Sequence, residues 1–461
     1  MIRYLRLFQE HSEYEAFRVS EEFVRPNVSE CINGDDVHYN PFKWETEYFA
    51  IESLENNNTI YLKASNTSIT KTISASTDDG ATWTEYTSTN TGSGTTLATL
   101  NNGGRLLVKG ENTAYAASSH YNQFKTTGQF KVNGNIMSLI SGGSFEIADE
   151  LTANYTFKNL FYGCTGLTSA ENLVLPIAIL TNYCYFSMFD GCTSLTTPPE
   201  LPATTLAQSC CYYMFNGCTN LAIAPELPAT TLANNCYSYM FQNCTSITTA
   251  PELPATTLAN SCYSCMFMGC TSLLTVPSLP VTTLTESCYS GMFQGCISLT
   301  SATELPATIM PDYCYNGMFS ECTNLTSAPE LPATTLGMAC YQKMFRNCTS
   351  LTVAPELPAT TLNVSCYDTM FRGCTGLTTA PNLSAETLAN SCYYEMFSGC
   401  TNLNSITCLA TNISASTCTQ DWLIGVASSG TFYKNPSMTE QNWGRGTSAI
   451  PSNWTVQNAS S

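Results

Sequence analysis

Positive charge and histidine are what this chain has least of. Lys and Arg total 17 against 35 Asp and Glu, a formal net charge of −18. Between residues 151 and 417 the basic side chains are Lys158, Lys343, Arg346 and Arg372 alone. Such a surface repels phosphate, which excludes nucleic acid as a partner class. The three histidines are His11, His38 and His120, so a Ser or Cys nucleophile after residue 150 would lack its usual base. No run approaches the ~18 apolar residues of a membrane span. The opening MIRYLRLFQEHSEYEAFRVSEEF has neither an apolar core nor a small-residue cleavage site, so export by the general secretory route is not expected.

Cysteine, by contrast, is plentiful and strictly spaced. Cys184, Cys210, Cys236, Cys262, Cys288, Cys314, Cys340, Cys366 and Cys392 stand 26 residues apart. A second series runs at the same step from Cys192 through Cys218, Cys244, Cys270, Cys296, Cys322, Cys348 and Cys374 to Cys400. A degraded copy precedes the nine units around Cys164 and another follows from Cys418. A fixed period with atypical ends marks stacked repeats with caps.

Within a unit, CYxxMFxGC places Cys, Tyr, Met, Phe and Cys on one arc at about 100° per residue, which predicts a two-turn helix on a core. Ser209, Asn235, Ser261, Ser287, Ser365 and Ser391 precede the first Cys and suit N-caps. Gly or Asn before the second Cys suits a left-handed helix stop. A recurring Leu (Leu195, Leu221, Leu351) and the Pro-bracketed APELPATTL then return the chain to the next helix. Each unit is expected to be a short helix plus a short strand, unable to bury its apolar arc until stacked.

The phrase resembles the BspA-like leucine-rich repeats, through Met240-Phe241, Cys244, Ser246, Ile247 and Leu253-Pro254. The resemblance covers roughly residues 151–430, although this unit is longer than the common one of about 23 residues. It implies a leucine-rich-repeat-type solenoid and roles in adhesion or recognition instead of catalysis. The expectation is a non-enzyme that needs no cofactor.

The cysteine ladders admit three readings. Eight helical residues would hold a unit's pair about 12 Å apart, beyond disulfide reach. Pairing between stacked neighbours is conceivable, but no rung specifies its partner. A zinc site would need a CxxC with a partner His, and no His stands in the repeats. Reduced, buried thiols are the expectation.

Two further columns are candidates for recognition. Glu200, Glu226, Glu252, Glu304, Glu330 and Glu356 precede the recurring Leu-Pro, as a solvated face or as carboxylates that share a cation. Ser278 and Asn382 interrupt the column. Tyr237, Tyr263, Tyr289, Tyr315, Tyr341, Tyr367 and Tyr393 form an aromatic column, as a half-buried packing rim or as a ridge for sugar or protein. Cys211 and Cys265 stand off both ladders.

Residues 46–150 change character. TIYLKAS, TKTISAST and GGRLLVKG alternate apolar and polar residues between turns, which predicts a small antiparallel β-sandwich. Ser76 to Trp83 looks like an Asp-box turn, with Asp78 and Gly80 making the turn and Trp83 plugging the core. Residues 418–461 break the period and carry Trp422, Trp443 and Trp454, as a cap would.

Residues 1–45 read as an arm that docks elsewhere. Its stretch from Arg25, Pro26 and Asn27 to Asp35, Asp36, His38, Tyr39 and Pro41 is similar to the N-terminal phrase of structural proteins in crAss-like gut phages. That resemblance implies anchoring to capsid or tail proteins and display of the repeats toward a host or mucosal glycan or protein. The expected order is therefore 1–45 arm, 46–150 β-sandwich spacer, 151–417 solenoid and 418–461 cap. The expected place is the virion, with a bacterial cell-surface adhesin as the alternative. Assembly of several copies stays open.

Overall fold

The computed structural model describes residues 46–176, 179–446 and 448–460. Its strands are β1 (Phe49–Ser53), β2 (Asn58–Ala64), β3 (Thr72–Ser76), β4 (Thr84–Thr87), β5 (Thr95–Leu100), β6 (Arg105–Lys109), β7 (Asn122–Thr126), β8 (Phe130–Asn135), β9 (Leu167–Val174), β10 (Ser405–Cys408), β11 (Thr431–Lys434) and β12 (Thr455–Asn458). One sheet runs β4-β3-β6-β1-β8-β9 and a second runs β5-β2-β7. All their pairings are antiparallel except β8 with β9. Alternation sets the inner face: in β2 every second residue is buried. Phe49 of the first sheet meets Phe124 of the second with ring centroids 5.4 Å apart.

The Asp-box turn is knit by its own side chains. Ser76 Oγ donates to Asp78 Oδ1 at 2.6 Å, and the Thr82 N–H and hydroxyl donate to the same carboxylate at 2.9 and 2.6 Å. These bonds, the Ser76 hydroxyl first, hold the Asp78 carboxyl down at about 2. Trp83 does not plug the core as expected. It is half-buried, with Tyr48 against its edge and the Lys109 ammonium 4.0 Å above its ring.

The repeats stack, but each unit lacks the predicted helix. Helix among the described residues is confined to Ser138–Ser141, Glu440–Trp443 and two 3-10 segments, Thr67–Ile69 and Gly142–Ile147. The segment from Asn235 to Cys244 is instead a run of overlapping four-residue turns. Ser238, Met240, Gln242 and Cys244 donate their N–H groups three residues back, at 3.1–3.3 Å. Tyr237, Tyr239, Phe241 and Asn243 donate to the next repeat, at Cys262, Ser264, Met266 and Met268, at 2.8–3.0 Å. One set of donors thus closes turns and the other joins repeats, so the buried backbone is paired without a helix.

The geometry requires a left-handed residue at every fourth position: Asn235, Tyr239 and Asn243 have φ of 57°, 58° and 59°. The six residues read as N-caps are therefore turn residues, with φ between 52° and 57°. The Gly or Asn before the second Cys is left-handed as expected, but it ends a series of turns and not a helix. A repeat of four, unlike one of 3.6, keeps Cys236, Met240 and Cys244 in strict line, and all three are buried.

The return segments are extended yet barely paired. Between units they meet through isolated parallel bridges such as Thr205↔Thr231, Thr249↔Thr275 and Ser301↔Ser327. All but the last carry one to three prolines, which have no N–H to give a ladder. Continuous strands return only at the two ends of the stack. At the front, β9 pairs with β8, Tyr115 and Phe124 donate to carbonyls of the first coil, and Phe161 packs 6.1 Å from Phe124. The core therefore runs unbroken across the expected 150/151 boundary. At the rear, β10, β11 and β12 form a parallel sheet, and Trp422, Trp443 and Trp454 are buried over the last coil.

Candidate functional site

Two aromatic files run through the stack. Phe161, Phe189, Phe215 and their successors to Phe397 lie ring over ring at 5.4–6.0 Å. The second file is the tyrosine column offered above as a ridge. It is core: Tyr237, Tyr263, Tyr289, Tyr315, Tyr341, Tyr367 and Tyr393 are 1–2% exposed. Each stacks on the next at 5.8–6.2 Å. They follow the first Cys inside a turn whose inward face repeats every four residues, so no ligand reaches them.

The thiols share that interior. All 23 described cysteines are free, and all but Cys265 are buried. The second ladder has a specific role: Cys244 Sγ donates to the Phe215 carbonyl at 3.0 Å, and Cys270 Sγ to that of Phe241 at 3.1 Å. The same bond recurs in the other units. Burial pushes these thiols up, Cys270 to about 12. Cys211 occupies the tyrosine file between Tyr185 and Tyr237 and leaves a void of about 10 Å³ beside them.

The glutamate column, in contrast, faces water. Glu200, Glu226, Glu252, Glu304, Glu330 and Glu356 are exposed, each beside a buried Leu. Among the described residues no group of three or more His, Cys, Asp or Glu is placed to hold a metal. Where the bridge between units is missing, this face opens into a groove of about 510 Å³, lined among others by Ser327, Pro329, Glu330, Val353, Pro355 and Glu356. Val353 and Ile223, 71% and 76% exposed, replace the Thr or Ser that other units carry at that position. Sequence reading missed this feature, whose signal was an apolar residue breaking a polar column.

A second feature went unread for the same reason. Phe186, Tyr212, Tyr213 and Tyr239 stand on the outer side of the turns, where all but one of the units after Tyr239 carry small or polar residues, and they form one half-buried ring cluster. The anchoring residues Arg25, Pro26, Asn27, Asp35, Asp36, His38, Tyr39 and Pro41 lie outside the described residues.

The family described as BspA type Leucine rich repeat region matches in six copies, over residues 144–273, 182–326, 234–378 and 316–420. No curated protein matches the chain significantly.

Proposed function

The chain belongs to the BspA-type leucine-rich repeat family, and from that premise we propose that it is a non-enzymatic surface protein whose solenoid presents a recognition face for adhesion. One observation carries the reading. Within the turns, the residues that recur from unit to unit (Cys, Tyr, Met, Phe, Cys) are spent in the core, while side chains that differ between units stand on the outer side, apart from the recurring glutamate column. A scaffold that holds its interior constant and varies its outside serves contact. The outside of the repeats offers hydroxyls, amides, carboxylates and rings, and no histidine. A cell surface and a virus particle are carriers equally compatible with this repeat family.

Of the two we favour the particle, on the resemblance of residues 25–41 to the phage structural phrase. In this reading the arm binds capsid or tail proteins, residues 46–150 act as the spacer and residues 418–461 as the cap. The test is mass spectrometry of gradient-purified particles beside the envelope fraction of the producing cells. Enrichment in particles, lost on deletion of residues 1–45, is the expected result. Enrichment in the envelope assigns the chain to a bacterial adhesin. Adhesion itself is read separately, as retention of the purified protein on mucin-coated plates.

A further inference from the structure

The outer side of the turns is not uniform along the stack. At the position two residues after the first-ladder Cys, units carry Phe186, Tyr212, Ser238, Ser264, Ser290, Asn316, Gln342, Asp368 and Tyr394 in order. One residue further they carry Ser187, Tyr213, Tyr239, Cys265, Gly291 and Gly317. The fold thus accepts Ser or Gly at these places, and the rings at the front serve no packing demand common to the units.

Those rings gather. Phe186 stacks on Tyr212 at 5.1 Å, and Tyr212 meets Tyr213 edge to face at 4.6 Å. Tyr213 lies 4.7 Å from Tyr239, and Tyr155 stacks on Tyr183 at 4.8 Å. All six are half-buried. Beyond Tyr239 the next unit offers only Ser264 and Cys265, so the cluster ends in a step.

Polar groups flank it. Burial raises the phenol of Tyr213, with a smaller contribution from nearby Asp190, and burial raises the carboxyl of Asp190 itself. Asn216 Nδ2 donates to Asp190 Oδ1 at 2.8 Å. The other amide atom, Asn216 Oδ1, is buried with no hydrogen-bond partner among the described residues. Lys158 is already engaged: its ammonium donates to the Ser118 carbonyl at 2.6 Å and sits over Tyr155 and Phe186 at 5.3 and 4.9 Å.

We propose that the ring cluster with its Asp190–Asn216 flank is a binding site for neutral pyranose glycans. The proposal rests on the adhesion reading above and supplies its ligand class. A pyranose presents an apolar C–H face, which a ring covers, and hydroxyls, which donate to a carboxylate held in place by an amide as Asp190 is by Asn216. Charge selects the neutral class. The chain carries a net −18 and Lys158, the cation beside the cluster among the described residues, is occupied, so a sialylated or sulfated glycan meets repulsion.

The test uses the full chain on an array of neutral oligosaccharides beside their sialylated counterparts. Its partner is the variant Phe186→Ser, Tyr212→Ser, Tyr213→Gly, Tyr239→Gly, which copies residues that later units carry and keeps the fold, checked by circular dichroism and melting. Glu330→Gln with Glu356→Gln, in the distant groove, is the control. The expected result is binding to neutral glycans, weakened at least tenfold in the ring variant and unchanged in the control. No binding, preference for sialylated glycans, or binding that survives in the ring variant overturns the site. If the ring variant is still retained on mucin-coated plates, adhesion stands and this site falls. If the wild type binds glycans but is not retained, the site stands and the adhesion reading falls.

Discussion

At the scale of the residue, cysteine is used here as a small apolar side chain with one directed bond. Each second-ladder thiol donates to a phenylalanine carbonyl of the preceding unit while filling a tight place between coils. Such a thiol is neutral and closed to reagents, since thiolate is the reactive form. We expect brief alkylation of the native protein at pH 8 to mark Cys265 alone among the 23 described cysteines, and unfolding in denaturant to expose all of them. Mass spectrometry of the labelled peptides reads the outcome, and fast native labelling of ladder cysteines would contradict the packing. The buried, reduced state was legible from composition and spacing. The bond to phenylalanine was not, because it joins positions 29 residues apart across two units.

At the scale of the element, the pattern CYxxMFxGC is ambiguous between a helix and a run of four-residue turns. Over nine residues a period of four and one of 3.6 select the same inward side chains. The discriminating signal lay at the centre of the segment, at Gly291 and Gly317, where a helix would be weakened and a left-handed turn is favoured. The tyrosine column failed as a surface for the same reason: the turns bring Tyr and Phe inward together. Cys211 tests this element. Its neighbours Tyr185 and Tyr237 stand in the register that accepts tyrosine in later units, and a void of about 10 Å³ lies beside it. Cys211→Tyr is expected to complete the file and stabilise the fold by about 1 kcal/mol, the worth of an added aromatic contact. A urea midpoint that falls instead would mean that the void cannot widen to take a ring.

At the scale of the whole molecule, the 26-residue period, the stack and the change of character before residue 150 were all legible, because each is written in spacing or alternation. The continuity of the front sheet into the first coil through β8 and β9 was not, since a strand's partner is invisible where the unit has its own repeat to satisfy. Stacked units interact with their neighbours, so their stability is close to additive. Excising residues 248–273 removes one whole unit and should leave a folded protein, with a denaturant slope reduced in proportion to the surface lost. Excising residues 248–260 puts turns against return segments and should abolish cooperative unfolding, as read by circular dichroism.

The two-way division of backbone donors also gives the stack an electrical sense. Tyr237, Tyr239, Phe241 and Asn243 send their N–H groups toward the C-terminal end, and the carbonyls that receive them point back. With Asn235, which donates to the Asn260 carbonyl, five files of peptide dipoles therefore run parallel through the units, with their positive pole at the last coil. An α-helix has its positive pole at the start of its chain.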